Sequence, residues 1–263
     1  AAMAEIVPPF LNNFSLDGRC ALISGSSSGL GLAMGMAFAK SGAKVIFNGR
    51  NESTLISLKQ KANDEGLNVD YICADLTNFE AIDGAIGEIK SKYDTLDILI
   101  NNIGTRIRKS LSDFNQAELL QIIHQNLSAA IYLSQQVIPL MAEQNWGRII
   151  TISSIAGRLA RSGDTVYPIT KMGLEGMVRS LAVQYAQHGI TSNGIAPGFF
   201  ATEQNLSMMS TEEEKAGHVV RVPMRRWGEP EELAGAAVFL ASEAASYVNG
   251  QVLTIDGGLT ASF

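Results

Sequence analysis

Seven short apolar runs recur along the chain, most of them separated by an amphipathic stretch long enough for a helix. The runs are 19–24 (RCALIS), 44–48 (KVIFN), 69–73 (VDYIC), 97–101 (DILIN), 148–153 (RIITIS), 190–196 (ITSNGIA) and 251–255 (QVLTI). Near-continuous hydrophobicity over so few residues predicts strands buried on both faces, as in a parallel sheet. Helices are expected over 29–41, 52–65, 79–93, 115–144, 168–187 and 231–242. The alternation predicts a single α/β domain, a doubly wound parallel sheet of about seven strands flanked by helices. Gly42 and Gly189 read as C-terminal helix caps, and Pro168 as a first helical residue whose missing N–H needs no partner. Residues 199–230 carry no clear strand signal and read as a substrate loop or lid.

Composition narrows the class. Apolar residues make up 46% of the 263 and charged residues 17%, which excludes a disordered chain and implies a large core with further surface buried between subunits. A pI near 5.2 and a net charge of −6 argue against a nucleic-acid partner. Two cysteines and three scattered histidines offer no disulfide framework and no metal constellation, so no metal is expected. Cys20 and Cys73 both fall in apolar runs and read as buried, inert thiols. No apolar stretch reaches the ~18 residues of a membrane span, and the first residues lack a leader pattern. The expectation is a cytoplasmic protein with no membrane contact, in which residues 1–13 form an N-terminal extension and Ala1–Ala2 a remnant ahead of Met3.

The first strand runs directly into Gly25-Ser26-Ser27-Ser28-Gly29-Leu30-Gly31. Glycine spacing of G-x-x-x-G-x-G differs from the G-x-G-x-x-G fingerprint and from a P-loop, but the physics is shared. Gly25 permits a sharp turn, Gly29 lets backbone approach a pyrophosphate, and Gly31 lets helix pack on sheet. The helix N-terminus offers N–H donors and a positive dipole. At the tip of the second strand, Asn48-Gly49-Arg50-Asn51 holds no carboxylate for a ribose 2′-OH. Arg50 can bond a 2′-phosphate instead, so NADP(H) is expected over NAD(H).

Tyr167 and Lys171 stand at i and i+4, one turn apart on one helix face. A phenol has a pKa of about 10, and a cationic neighbour favours its ionised form. Ser154 closes the fifth strand and can reach the same place from the carboxyl ends of the strands, where open α/β sheets bind ligand. Three hydroxyl or amine groups converging there form an acid–base pattern.

Taken together, Ser24-Gly25-x-x-x-Gly29-x-Gly31, Asn101-Asn102-Ile103-Gly104, Ser154 with Tyr167-x-x-x-Lys171, Pro197-Gly198-x-x-x-Thr202 and Asp256-Gly257-Gly258 resemble the short-chain dehydrogenase/reductase family, in family order over nearly the whole chain. Ser24 departs from the usual Thr, and Ile103 from the usual Ala. The resemblance implies a Rossmann-type NAD(P)-binding domain over 14–263 with its substrate loop at 199–230. It implies a dehydrogenase/reductase that interconverts a carbonyl and a secondary alcohol by hydride transfer. Tyr167 would be the general acid/base, Lys171 would assist it and bond the nicotinamide ribose, and Ser154 would position the substrate carbonyl. Asn126 would hold a water for proton relay. Gly25, Ser27, Ser28, Gly29, Leu30 and Gly31 would line the pyrophosphate. Asp75, with Leu76 beside it, would bond the adenine amino group, and Asn102 and Gly104 would shape the adenosine side. Pro197, Gly198, Phe200 and Thr202 would hold the carboxamide.

For the substrate, Arg106 and Arg108 after the Asn-Asn-x-Gly turn and Arg158 and Arg161 before Tyr167 suggest a polar or anionic molecule. Residues 101–108 and 226–263 are similar to gluconate 5-dehydrogenase-type members, and also to 3-oxoacyl-carrier-protein reductases. A small polar ketone or keto-sugar acid is the leading expectation, and a non-catalytic NADP-binding sensor the outlying one. The resemblance also implies a homotetramer, with helices 115–144 and 168–187 facing symmetry mates and residues 256–263 forming a second interface.

Overall fold

The computed structural model describes residues 8–207, 209 and 211–262. Expectations for residues 1–7, 208, 210 and 263 lie outside them. Seven parallel strands form one sheet: β1 (Cys20–Ile23), β2 (Lys44–Gly49), β3 (Val69–Cys73), β4 (Ile98–Asn101), β5 (Gly147–Ile152), β6 (Ile190–Pro197) and β7 (Val252–Ile255), in the order β3-β2-β1-β4-β5-β6-β7. The nine helices among the described residues are α1 (Gly29–Lys40), α2 (Glu52–Asp64), α3 (Phe79–Lys92), α4 (Gln116–Ile123), α5 (Ala129–Glu143), α6 (Val166–Tyr185), α7 (Glu203–Ser207), α8 (Glu212–Val219) and α9 (Pro230–Ala241). No helix among the described residues is long and apolar enough to cross a membrane.

The period-two alternation of strands explains why the runs read as continuously apolar. On β1, Ala21 and Ile23 belong to one core layer, with α1, α2 and α9; Cys20 and Leu22 belong to the other, with α3 and α5. Both faces are covered, so most strand positions are apolar, and polar side chains inside a strand, such as Thr191, Ser192 and Asn193 of β6, are buried as well. The order of successive strands reverses between β1 and β4, with β2 and β3 laid out to one side and β4 to β7 to the other. That reversal opens a crevice at the carboxyl ends of the strands, the place where open α/β sheets take ligands.

Four local expectations need correction. Residues 115–144 are not one regular helix: His124–Ser128 form a π-turn between α4 and α5. Pro168 is not the first helical residue. The helix starts at Val166, capped by Thr165, and proline is still tolerated because the first four N–H groups of a helix have no partner within it. Cys73 is exposed at the end of edge strand β3, whereas Cys20 is buried, its thiol pushed up to about 12 mainly by that burial and by the charge of Asp97. The 199–230 segment is not irregular throughout, since α7 and α8 lie within it and Phe200 bridges Gly228 in parallel. Ahead of β1, the turn Pro9–Phe14 packs its Phe14 ring 6.2 Å from Phe239 of α9.

Candidate active site

The glycine loop joins β1 to α1 at the crevice. Gly25 and Gly29 adopt φ of +60° and +57°, a region that costs an L side chain strain and glycine none. At Gly31 a Cβ would lie 2.6 Å from both Asn102 Nδ2 and Gly25 O, so α1 can approach the sheet only without one. Ser28 caps α1 but makes no side-chain capping bond. The donors of the first turn, at Gly29, Leu30 and Gly31, therefore receive no acceptor from the cap. Ser27 is half-buried and Ser28 exposed beside them. A loop of hydroxyls and open N–H groups, with a helix dipole behind it and no carboxylate within it, fits a dinucleotide pyrophosphate.

Two asparagines brace this loop. Asn102 Nδ2 donates to Ser24 O and Gly25 O at 3.1 and 2.9 Å. Ser24 Oγ donates to Ile100 O at 3.1 Å and accepts from Asn102 N at 2.9 Å. The serine in place of the usual threonine thus keeps the hydroxyl that ties β1 to the turn after β4. Asn48 is buried; its Oδ1 accepts from Gly25 N at 3.0 Å and its Nδ2 donates to Ile72 O and Ala74 O at 3.2 and 3.0 Å. Asn48 links the ends of three strands, a role the sequence analysis missed. The signal was present, as a lone amide closing an apolar run.

Along the adenosine side, Leu76 is buried and Asp75 exposed. Asp75 Oδ1 accepts from Thr77 N and Thr77 Oγ1 at 3.0 and 2.7 Å. Partial burial pushes its carboxyl up, but those hydrogen bonds and the charge of Arg50 outweigh it and hold the group below the usual carboxylate range. Arg50 is exposed at the tip of β2. Across the crevice, Pro197 ends β6 and the following residues fold back over the glycine loop. A Cβ on Gly29 would lie 3.6 Å from Thr202 Cγ2, and one on Gly198 2.6 Å from Asp256 Cβ. The Asp256-Gly257-Gly258 turn is thus the support on which Gly198 rests. Phe200 O accepts from Asn205 Nδ2 at 3.0 Å, and Thr202 Oγ1 accepts from Asn205 N at 3.2 Å.

The structure brings Ser154, Tyr167, Lys171 and Asn126 to the same end of the sheet. Tyr167 is half-buried and Lys171 buried, its Nζ 5.6 Å from the Tyr167 ring centre and donating to Ile152 O at 2.9 Å. A Cβ on Gly104 would stand 3.1 Å from that Nζ. Gly104 therefore makes room for the lysine. Ser154 follows β5 in extended backbone, its Oγ accepting from Ala156 N at 3.1 Å. Asn126 is fully buried in the π-turn. Its Oδ1 accepts from Thr105 N at 2.7 Å, and its Nδ2 donates to Thr105 O at 2.7 Å and Thr170 Oγ1 at 3.2 Å. One amide thus pins the loop after β4 to α6. Such inserted turns recur at functional sites.

The arginines divide. Arg158 lies 3.3 Å from the buried Glu175 and 3.0 Å from Thr254 Oγ1. It is exposed, and part of its charge is engaged by a buried carboxylate. Arg161 is exposed. Arg106 pairs with the buried Asp164 and lies over the Tyr167 ring, 4.8 Å from its centre. Arg108 is exposed beside Arg106; partial desolvation and the charges of Arg106 and Arg161 pull its guanidinium below its ordinary value, against Asp164 and Tyr167. A partly desolvated cation in a cationic neighbourhood favours an incoming anion.

The chain matches, over residues 25–260, the family model described as enoyl-(acyl carrier protein) reductase. It is 39% identical over 249 residues to gluconate 5-dehydrogenase of Gluconobacter oxydans, covering 95% of this chain and 97% of that one. It is 35% identical over 246 residues to 5-keto-D-gluconate 5-reductase of Escherichia coli, covering 94% and 97%. A solved gluconate 5-dehydrogenase from Burkholderia cenocepacia, in complex with NADP and tartrate, superposes with a TM-score of 0.92 at 36% identity, covering 97% of this chain and 100% of that one.

Proposed function

The chain belongs to the short-chain dehydrogenase/reductase family of oxidoreductases, and on that premise we propose that it reduces a keto-sugar acid, or oxidises the matching hydroxy acid, with NADP(H). The observation that carries the reading is the meeting of Ser154, Tyr167 and Lys171 beside an uncapped phosphate loop, with Arg108 as an anion contact at the same crevice. The relatives named for gluconate and 5-ketogluconate, and the tartrate bound by one of them, are polyhydroxy acids of that chemical class.

A bound nicotinamide supplies or accepts the hydride; the protein supplies orientation and a proton. In reduction, the Tyr167 hydroxyl donates its proton to the carbonyl oxygen, and the Ser154 hydroxyl holds that oxygen in place. The Lys171 ammonium uses one donor on Ile152 O, leaving others for the ribose and for charge stabilisation beside Tyr167. Asn126 keeps the Thr105 and Thr170 positions in register, and the proton is replenished along that side. Gly25, Ser27, Ser28, Gly29, Leu30 and Gly31 hold the pyrophosphate, and Asp75 and Leu76 the adenine. Gly104 clears space for Lys171, and the loop through Pro197, Gly198, Phe200 and Thr202 holds the carboxamide. The 199–230 segment covers the substrate side of the domain that spans 14–263, which residues 1–13 precede in sequence.

Arg50 selects NADP(H) over NAD(H), supported by its place at the β2 tip and the absence of a carboxylate in residues 48–51. The NADP-bound relative is in keeping with that choice. The working form is a homotetramer in the cytoplasm. The exposed apolar side chains on α4, α5 and α6 support the first, and two unpaired thiols the second.

The test is NADPH oxidation measured against a panel of ketones that includes 5-keto-D-gluconate. Turnover of that acid, abolished in Tyr167→Phe with NADPH binding retained, is expected. No turnover of any keto acid in the panel removes the substrate reading. Retained turnover in Tyr167→Phe removes the assignment of the proton donor.

A further inference from the structure

Two of the arginines beside the crevice are adjacent in sequence pattern but differ in physical situation. Arg106 is not free to meet a ligand: its Nη2 pairs with Asp164, whose side chain is only 1% exposed. The guanidinium is thereby held against the face of Tyr167, 4.8 Å from the ring centre. Neither half of the pair is otherwise accounted for. Asp164 Oδ1 and Arg106 Nε are both buried without a hydrogen-bond partner, and among the described residues Asp164 pairs its charge with this arginine. A buried carboxylate is costly to keep for stability alone. Its effect here is to station a cation over the ring of the one phenol that the crevice presents.

We propose that Arg106, locked by Asp164, is a positioning residue for Tyr167: its guanidinium, held over one face of the ring, fixes the ring's place and its electrostatic surroundings. The inference rests on the reading of Tyr167 as the proton donor. A guanidinium over an aromatic face attracts the neutral ring, and attracts a phenolate more strongly because the ring then carries charge. The charged groups around Tyr167 come from three elements. Lys171 lies on its own helix, with Nζ 5.6 Å from the ring centre. Arg106 and Arg108 come from the loop after β4, and Arg161 and Asp164 from the loop before α6. Asp164 alone is negative, so it opposes the cations while anchoring the nearest of them. Division of labour follows: Arg106 serves the phenol, and Arg108 is left for substrate.

The test is a spectrophotometric titration of phenolate at 295 nm on the full-length, cofactor-free protein, taken as the difference from Tyr167→Phe. It requires no knowledge of the substrate. Arg106→Met should raise the Tyr167 midpoint by about one pH unit, a tenfold change in the ionisation equilibrium, and Arg106→Lys should restore most of it. Asp164→Asn, which keeps an acceptor for Arg106 and removes the opposing charge, should lower the midpoint. Opposite signs separate local electrostatics from general loosening, which would move both variants the same way. An unmoved midpoint in Arg106→Met, or shifts of one sign in both variants, overturns the proposal. Arg106→Gln serves in place of Arg106→Met if the latter does not fold. Retained turnover in Tyr167→Phe would instead overturn the proton-donor reading and leave the titration result standing.

Discussion

Gly104 has no side chain because the ammonium of Lys171 occupies the place where one would begin: the nearest atom to its Cβ position is Nζ, at 3.1 Å. Lys171 is buried and bonded to Ile152 O, so it has little room to yield. Gly104→Ala should therefore lower kcat about tenfold and also weaken NADPH binding, since Lys171 is placed on the nicotinamide ribose. Steady-state kinetics with a separate fluorescence titration of NADPH checks both. Arg50 is the second residue whose change has a signed outcome. It is exposed at the β2 tip, with no packing to lose, so Arg50→Asp should leave the melting temperature within about 2 °C. It should move the ratio of kcat/KM for NADPH over NADH downward by about a hundredfold, because a carboxylate repels a 2′-phosphate and accepts from a 2′-OH. An unchanged ratio would place the discrimination on another residue.

At the scale of elements, β3 is the sheet edge beyond β2, and Asp70 ties it to its surroundings. Its carboxylate meets Lys59 at 3.0 Å, Lys92 at 2.8 Å and the Tyr93 hydroxyl at 2.6 Å. Burial pushes the group up, but these bonds and the one from Tyr71 N outweigh it and hold it far below the usual carboxylate range. Because the folded value is the depressed one, the stabilisation is whole above the unfolded value of about 4 and is lost as pH falls through the folded one. Asp70→Asn should cost about 2 kcal/mol at pH 7, the scale of a hydrogen-bonded charge. Urea unfolding should show that difference shrinking steadily below about pH 4; a gap independent of pH would deny the charge its part. The π-turn His124–Ser128 is the other element with a consequence. It directs the Asn126 amide onto Thr105 and Thr170, so that a helix, a loop and a second helix are aligned by one side chain.

For the molecule as a whole, the notable surface is apolar and lies on one group of helices. Leu120 and Ile123 on α4, Ile131 on α5, and Ile169, Met172 and Val183 on α6 are 38–83% exposed. A chain with only 17% charged residues leaves such a face uncovered as a monomer, which favours association with a symmetry mate. Val183 is 83% exposed, so Val183→Glu removes nothing from the core. Sedimentation velocity at micromolar concentration should find the wild-type protein as a tetramer and the variant, combined with Ile131→Glu, as a smaller species with an intact far-UV spectrum. A monomeric wild type would contradict the assembly.

Much of this was legible in the chain itself, for reasons of local physics. Strand faces buried on both sides must be continuously apolar, so the seven runs located the seven strands to within a residue or two. A glycine with positive φ leaves the same trace, which is why the loop at Gly25 and Gly29 was visible before any fold. Tyr167 and Lys171 were pairable because one helical turn separates them. What depended on the tertiary structure was every interaction between residues far apart in the chain. Nothing local distinguishes Arg106 from Arg108, or Arg158 from either. Buried Asp164 and buried Glu175 take one each, and the exposed third stays beside Arg106 and Tyr167. Nor does HQNLS announce a π-turn, because the extra residue is stabilised by what Asn126 reaches across the fold. Cys73 reads as apolar core until its strand proves to be the last in the sheet. Periodicity is a property of neighbours in sequence and survives in the sequence alone. The choice of partner for a charge, and the side of an edge strand that meets solvent, exist only once the sheet is closed and the helices are laid upon it.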